Sequence, residues 1–552
     1  MASAFEAKVA DVTAACPRYK NPDGSVYRYS YGTAGFRDKA ERLPSAMVRV
    51  GVLAALESKF FNGKVTGVVI TASHNQACDN GAKIMDWRGE MMSHSWEDFA
   101  ADLANAAEGE AVVKLVKAFA AREKIDLNAP AKVFVGRDTR ASSPSLQDCV
   151  IKGATAMGAS VYNHGEVTTP QLHWIVRAFN AAPATFDPLA DGSRAGDLHH
   201  YNKNLADALS TLLDKPVQPL TVDCANGIGA VALNNLAPFI SKLVPIQFIN
   251  SATTKGELLN NGVGAEHVQK TRCLPQGVSP SSDKLKRFAS IDGDADRVVY
   301  FYVDENEKFC LLDGDKIIAL VVGYLKRLTK DAGLDLQIGV VQTAYANGAA
   351  TNYIEKVLGV PVACVPTGVK FLHHKAAEFD IGVYFEANGH GTVLFSDKAT
   401  QQIEAVAGGN AGTPAAKQAA KRLRALSKLI NQAVGDAISD IMLVEVVLAN
   451  ENLTLQKWNA FYADLPSHQA KVRVKDRSVV VTTDAERRVT APAGLQPAID
   501  AAVSKFKSAR AFVRPSGTED VIRTYAEAST EAEAKQLGEL VAKAVAQYAG
   551  GV

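Results

Sequence analysis

Through roughly the first 400 residues, short runs of apolar, often β-branched residues alternate with longer stretches whose apolar positions recur every three or four residues. The runs 65–70, 132–135, 220–223, 288–291, 298–303, 337–342, 361–365 and 381–384 predict buried strands. Segments 96–123 and 315–328 predict amphipathic helices between them. Strand and helix in alternation predict α/β layers with at least partly parallel sheets. After Phe395 the pattern changes. Segment 407–414 is rich in Gly and ends in Pro414, which predicts a flexible turn, and 415–449 predicts a long helix carrying Gly435. Strands then cluster at 469–474, 478–483, 511–514 and 521–527, and 531–548 predicts a closing helix. That end of the chain reads as a smaller α+β domain. The expected division is α/β domains over 1–190, 191–300 and 301–440 and an α+β domain over 441–552.

Several runs end in polar loops at a strand's carboxyl end, where open α/β sheets hold their ligands. Run 65–70 leads into Thr71-Ala72-Ser73-His74-Asn75 and so predicts an exposed strand-end hydroxyl at Ser73. A serine hydroxyl is a weak nucleophile without a base, a metal or a strong local field. His74 is adjacent, but neighbours in an extended chain point to opposite sides, so the pair is not read as a catalytic dyad. Run 288–291 leads into Asp292-Gly293-Asp294-Ala295-Asp296-Arg297. Three carboxylates at alternate positions of a tight loop repel one another unless a divalent cation neutralises them. An EF-hand is excluded, because the sixth position is Arg297 rather than Gly and the twelfth is Val303 rather than Glu. Three ligands suit Mg²⁺ completed by a phosphate oxygen and water, with Arg297 adding a fixed positive charge.

Run 381–384 leads into Phe385-Glu386-Ala387-Asn388-Gly389-His390-Gly391. Glu386 and Asn388, two apart, can grip vicinal hydroxyls, and the glycines let backbone approach a ligand closely. A hairpin loop would have the same composition. Last, Arg514-Pro515-Ser516-Gly517-Thr518-Glu519-Asp520, with Arg523 beyond it, offers guanidinium, hydroxyl and glycine N–H groups to a phosphate dianion.

Composition narrows the partners. Sixty basic and fifty-nine acidic residues give a net charge of +1 with no long block of either sign, so no nucleic-acid or membrane footprint is expected. The seven cysteines are scattered and contain no C-x-x-C pair, which predicts reduced thiols in a cytoplasmic protein, with neither a disulfide framework nor a zinc site. Residues 1–11 lack the apolar core of a signal peptide, and no run of eighteen apolar residues predicts a membrane span.

Taken in order, the four loops resemble those of the α-D-phosphohexomutase superfamily: a serine loop, a DGDxDR metal loop, a sugar loop and an RxSGTE phosphate loop. Further segments similar to that family are Tyr31-Gly32-Thr33-Ala34-Gly35-Phe36-Arg37, the stretch from Val222 to Gly229, the stretch from Asn431 to Asp440, and Asp484-Ala485-Glu486-Arg487. The likeness runs from about residue 29 to the C-terminus and is strongest to the branch acting on N-acetylglucosamine phosphate. Two departures stand out. Gln76-Ala77-Cys78 replaces the Pro-Glu that usually follows the serine, and Thr367-Gly368 is followed by Val369-Lys370 where many members have histidine. That branch shares the Thr-Gly-Val-Lys pattern.

The resemblance implies three related α/β domains and a C-terminal α+β domain around a central cleft. It implies an isomerase that interconverts N-acetylglucosamine 6-phosphate and 1-phosphate, feeding UDP-N-acetylglucosamine synthesis. Ser73 would carry the phosphoryl group, and Mg²⁺ would be held by Asp292, Asp294, Asp296 and an oxygen of phosphorylated Ser73. A hexose bisphosphate would serve as intermediate or primer. Lys83, ten residues past Ser73, is the implied acid/base; His74 would touch phosphate or move a proton, and Arg37 would bind phosphate. Substrate would be met by Glu386, Ala387, Asn388, Gly389, Arg297, Thr367 and Gly368, and its phosphate by Arg514, Pro515, Ser516, Gly517, Thr518 and Arg523. The partner implied is a small phosphosugar, met by a monomer. Rival readings are a glucose- or mannose-phosphate mutase, a metal-dependent phosphatase releasing inorganic phosphate, and a catalytically silent relative.

Overall fold

A computed structural model describes residues 4–32, 35–182, 197–409, 412–517 and 519–552. Two compact units divide the chain. One comprises Met1–Asp313, Asn388–Thr392 and Ala425–Asn450; the other comprises Gly314–Ala387, Val393–Arg424 and Glu451–Val552.

The first unit carries two five-stranded sheets of the same design. In one, the order is Gly35–Lys39, Asp79–Met85, Val65–Ile70, Lys132–Arg137, Ser160–Glu166; in the other it is Phe309–Leu312, Val298–Val303, Phe288–Ile291, Leu220–Asp223, Ile246–Ile249. Each has two antiparallel pairings followed by two parallel ones. The strand Val65–Ile70 shows why the sequence reads as an unbroken apolar run. All its residues are buried, Val65 and Val69 packing into one core and Val68 and Ile70 into another on the opposite face. A strand covered on both faces has no polar side to alternate with. Helix Pro44–Phe60 gave no periodic signal for a related reason: from Ser45 to Lys59 every residue is buried.

The second unit holds the strands Val362–Val365, Ile338–Thr343 and Ile381–Phe385 of one sheet, with residues 393–395 of its last strand, and an antiparallel sheet ordered Ser467–Arg473, Val521–Glu527, Arg510–Pro515. A short hairpin, Val481–Thr483 with Arg488–Ala491, packs on strand Arg510–Pro515. The closing helix spans Glu531–Tyr548 as expected. The predicted mixed α/β layers and α+β end are therefore present.

Four expectations need correction. Segment 96–123 is two helices, Glu97–Asn105 and Glu110–Glu123, because Asn105 turns its amide onto the backbone of Tyr29 and Gly109 takes φ 70°. Segment 415–449 also splits, into Pro414–Leu429 and Ala437–Asn450. Asp436 starts the second helix by accepting from the N–H groups of Ile438 and Ser439 at 3.1 and 3.3 Å. Residues 407 and 408 are not turn but the end of helix Asp397–Gly408, in which Ala407 is buried. Finally, 478–483 is a 3₁₀ turn, Arg477–Val479, followed by the three-residue strand Val481–Thr483. Among the described residues no helix is long and apolar enough to cross a membrane.

Candidate active site

The serine turn and the acidic loop lie within the first unit, at the carboxyl ends of strands Val65–Ile70 and Phe288–Ile291. Ser73 is not the exposed, extended residue the sequence predicted. Its φ of 52° puts it in the left-handed region, and it is 1% exposed. The chain has turned sharply there, with the Ser73 N–H donating to Thr71 Oγ1 at 3.0 Å. That turn also overturns the opposite-sides argument, for His74 Nδ1 comes to 3.4 Å from Ser73 Oγ. The stronger contact is with the acidic loop: Ser73 Oγ donates to Asp292 Oδ2 at 2.8 Å.

Two side chains that sequence reasoning missed hold the serine turn in place. Arg140, fully buried and paired with Asp138 at 2.9 Å, donates to the carbonyls of Gln76, Ser73 and Asn75 at 2.8, 2.9 and 3.0 Å. Asn260 Nδ2 donates to the carbonyls of Ser73 and Asn75, both at 2.9 Å. The signal that could have found Arg140 was the polar Asp138-Thr139-Arg140 at the end of run 132–135, another strand terminus on the same sheet. Gly293 completes the fit. A Cβ there would stand 2.6 Å from the Ser73 carbonyl, so the acidic loop approaches the serine turn only with glycine at this position.

The acidic loop curls round its own first carboxylate, with Asp292 Oδ1 accepting from the N–H groups of Asp296 and Arg297 at 3.0 and 3.2 Å. Asp292, Asp294 and Asp296 are all buried, and one ligand oxygen from each lies within 4.8 Å of the others. Lys83 Nζ stands between the last two, 2.7 Å from Asp294 Oδ2 and 2.6 Å from Asp296 Oδ2. Burial alone would push each carboxyl up. Lys83 outweighs it at Asp294 and Asp296, which are held below the ordinary aspartate range, while Asp292, facing the other two carboxylates, is raised well above it. Burial likewise opposes the Lys83 ammonium, but the two carboxylates prevail and raise its pKa.

This donor set fits a divalent cation. Asp294 Oδ1 and Asp296 Oδ1 are buried without a hydrogen-bond partner, and three buried carboxylates face one lysine. Arg297 pairs with Glu266 at 2.9 Å and lies 3.7 Å from Asp296. Burial and the charges of Arg297 and Arg37 depress His74 to about 2, so its ring is neutral. Arg37, on the edge strand, donates to Asn75 Oδ1 at 3.0 Å.

Of the expected sugar-binding residues, Asn388 and Gly389 belong to this unit. Asn388 Oδ1 accepts from the His390 N–H at 2.9 Å, and among the described residues its amide N–H groups make no hydrogen bond. Gly389, at φ 87°, presses against the strand that follows the acidic loop; a Cβ there would be 2.0 Å from the Val298 carbonyl. His390 in turn lies 2.9 Å from the Asp296 carbonyl.

The second unit carries the other candidates. Glu386 is half-buried, and its side chain makes no intramolecular hydrogen bond among the described residues. Arg514 and Arg523 are directly opposite across the strands Arg510–Pro515 and Val521–Glu527, and Lys471 is opposite Arg523 on the next strand. Three cations thus share one row of one sheet face, where like charges are destabilising without an anion. Lys471 meets Glu519 at 3.3 Å; Arg514 meets Glu486 at 3.4 Å and Tyr345 Oη at 3.2 Å. Arg523 Nε is buried without a hydrogen-bond partner. Ser516 donates its N–H to the Val521 carbonyl, and the Gly517 carbonyl accepts from Arg477 at 3.2 Å. Thr518 lies outside the described residues. Thr367 donates its N–H to Glu486, a residue of the family-like Asp484–Arg487 segment that carries no expected role, and Gly368 follows at the start of helix Val369–Ala376.

Comparison with known proteins fits this chemistry. The chain matches the family descriptions "Phosphoglucomutase/phosphomannomutase, alpha/beta/alpha domain I" over residues 104–185 and the corresponding C-terminal domain over 470–544. The matches place the chain among the phosphohexomutases, isomerases that move a phosphoryl group. Over 203–299 and 313–453 the matches narrow to "Phosphoacetylglucosamine mutase AMG1", domains II and III. The phosphoacetylglucosamine mutase of Sus scrofa is 47% identical over 540 residues, 97% of this chain and 96% of that one, and the Homo sapiens protein 46% identical over 542 residues, with the same coverage. An Aspergillus fumigatus N-acetylphosphoglucosamine mutase, solved in complex with GlcNAc-6P and magnesium, superposes with a TM-score of 0.92 at 40% identity, each chain covered in full. A serine-to-alanine variant of that enzyme, solved with glucose 1,6-bisphosphate, gives 0.91 at 41% identity with the same full coverage. The chain belongs to the phosphoacetylglucosamine mutase family.

Proposed function

We propose that this chain interconverts N-acetylglucosamine 6-phosphate and N-acetylglucosamine 1-phosphate, with Ser73 as the phosphoryl carrier and a hexose 1,6-bisphosphate as intermediate. The observation that carries the reading is the 2.8 Å hydrogen bond from Ser73 Oγ to the first carboxylate of the acidic loop, with Lys83 bridging the other two. Asp292, Asp294 and Asp296 would hold Mg²⁺, which when bound neutralises charge on the transferring phosphoryl oxygens. Arg140, Asn260 and Gly293 keep the serine turn fixed, so that the phosphoryl group, the attacking hydroxyl and the leaving oxygen are aligned before transfer. Lys83, held as an ammonium, gives a proton to the oxygen that leaves phosphorus and takes the one lost by the hydroxyl that attacks.

Glu386 and the amide of Asn388 would meet the hydroxyls at positions 3 and 4, which lie between the two phosphorylated positions and so serve both orientations of the bisphosphate. The row of Lys471, Arg523 and Arg514 would hold whichever phosphate is not reacting, with Ser516 and Gly517 next in the chain after Pro515. The product 1-phosphate is the acceptor that a uridylyl transfer to UDP-N-acetylglucosamine needs. Seven unpaired cysteines support a reducing, cytoplasmic setting, and a monomer suffices for every group named.

The test is phosphorus NMR of N-acetylglucosamine 6-phosphate with Mg²⁺ and a trace of glucose 1,6-bisphosphate, run beside glucose 6-phosphate. The expected result is a 1-phosphate signal, formed with higher kcat/KM from the acetylated sugar, because a site that binds the acetamido group leaves its own polar atoms unpaired with plain glucose. Steady release of inorganic phosphate would make this a phosphatase. A preference for glucose phosphate would move the chain to a sister branch.

A further inference from the structure

The hairpin joining strands Val481–Thr483 and Arg488–Ala491 turns through Asp484, Ala485 and Glu486, all at positive φ: 51°, 54° and 68°. Side chains with a Cβ resist that region, and three such residues in succession persist only where their surroundings hold them. Arg487 supplies part of the support. Its Nη2 donates to Asp484 Oδ1 at 2.6 Å, and its backbone N–H and Nε donate to the Asp484 carbonyl, both at 3.1 Å. The turn exposes its flanks and hides its third residue: the Asp484 and Arg487 side chains are 47% and 46% exposed, that of Glu486 only 16%. Half-buried there, Glu486 Oε2 accepts from Thr367, both from its N–H at 3.0 Å and from its hydroxyl. The other oxygen, Oε1, meets Arg514 Nη1 at 3.4 Å. One carboxylate on a strained turn therefore joins two loops far apart in sequence, the Thr367-Gly368 turn and the arginine row.

We propose that Glu486 is a positioning residue of the phosphate clamp, holding the Arg514 guanidinium and the Thr367-Gly368 turn at a fixed relation so that a sugar phosphate meets both already oriented. The inference rests on the phosphosugar reading above. Its rival is an anion that occupies the phosphate's own place and must be expelled. The geometry speaks against that. A stand-in for phosphate would take the two-pronged face of the guanidinium, whereas Glu486 takes one N–H at long range and commits its other oxygen to Thr367. Tyr345 Oη accepts from Nε at 3.2 Å, so Arg514 is steered by two single contacts and saturated by neither.

Steady-state kinetics of the full chain with Glu486→Ala and Glu486→Gln test the proposal, using N-acetylglucosamine 6-phosphate under saturating Mg²⁺ and bisphosphate, with inorganic phosphate as competitive probe. Glu486→Ala is expected to raise both the KM and the phosphate inhibition constant about tenfold while kcat stays within about threefold. Glu486→Gln, which keeps an acceptor for Thr367 and the same shape, should recover part of that loss; it also carries the test if the alanine variant does not fold. A lowered KM or tighter phosphate inhibition would mean an occluding anion and overturn the proposal. So would constants unchanged in both variants, or a fall in kcat alone. A wild-type chain that binds phosphate yet leaves the sugar phosphate unconverted would sink the parent reading instead, and calorimetric titration of inorganic phosphate into wild type and the two variants would still judge Glu486.

Discussion

The serine turn with its acidic loop and the arginine row with its hairpin are held by opposite means. Around Ser73, Lys83 and Arg140 are buried and Asn260 is half-buried, and their hydrogen bonds cluster between 2.6 and 3.0 Å, from Lys83 to Asp296, from Arg140 to three carbonyls, from Asn260 to two. Around Arg514 the contacts are single and long, 3.2 Å to Tyr345 and 3.4 Å to Glu486, and Arg523 Nε has none. A reacting centre gains from geometry fixed in advance, since misplacement there is paid in rate. A clamp that must grip a phosphate gains from donors not yet satisfied, because the ligand then replaces weak contacts with strong ones. Substitutions in the first region should therefore strike turnover, and those in the second should strike affinity.

The sharpest test of that division is Ser73→Ala. It deletes the oxygen proposed to carry the phosphoryl group and one hydrogen bond, to Asp292, and leaves the turn's supports untouched. Turnover is expected to fall by at least about a thousandfold with the melting profile retained. Intact-mass measurement should find one phosphate on active wild type and none on the variant. Substantial activity without Ser73 would end the phosphoserine reading.

Next in size is Asp294→Asn. The change removes one anionic ligand and half of the ion pair that holds Lys83, and it disturbs the 2.6 Å bond from Thr169 Oγ1. Mg²⁺ activation should weaken by about a hundredfold, read as a shift of the metal concentration at half-maximal rate. A chelator should silence wild type reversibly. Full activity in metal-free buffer would make the acidic loop structural.

Arg514→Ala should sharpen the contrast from the other side. Losing a charge-assisted hydrogen bond worth about 1.5–3 kcal/mol predicts a tenfold to hundredfold rise in KM, for the 1-phosphate and the 6-phosphate alike. If kcat falls and KM does not, the clamp is part of the reacting centre and the division between the regions fails.

How far the sequence could be read follows the same line. The acidic loop was legible because three carboxylates at alternate positions have few other uses, and strands such as Val65–Ile70 were legible because burial on both faces leaves a continuous apolar run. The left-handed Ser73 was not, since nothing in Thr-Ala-Ser-His-Asn announces a positive φ; Arg140, Asn260 and Gly293 impose it from 67, 187 and 220 residues away. The break at 430–436 was hidden for the same reason, because Gly435 is required by the ring of His390, 2.8 Å from where its Cβ would be. Glu486 belongs with these: its role depends on Thr367 and Arg514, which local pattern cannot pair with it.

The smallest expected effect belongs to His74, the one group on which the two ways of reading the reacting centre part company. Its ring lies 3.4 Å from Ser73 Oγ, too long for a firm hydrogen bond, and burial with Arg297 and Arg37 takes its pKa from 6.5 to about 2. A neutral ring at every working pH does not titrate with activity, and Lys83 is the better placed proton carrier. His74→Gln should then lower kcat less than about tenfold and leave the acid limb of the kcat profile where it was. Stability supplies the second readout. The folded pKa lies below the unfolded one, so the unfolded chain takes up a proton here that the native state refuses. The share of stability linked to His74 is therefore fully present above about pH 6.5 and is lost progressively as the pH falls toward 2. With the ring about a quarter exposed and solvent screening allowed for, the share due to His74 between pH 7 and pH 5 is about 1–2 kcal/mol. Denaturant unfolding at both values should show the glutamine variant losing less stability than wild type by that amount. A kcat profile whose acid limb vanishes with His74 would make it the base after all, and Lys83 a counter-charge only.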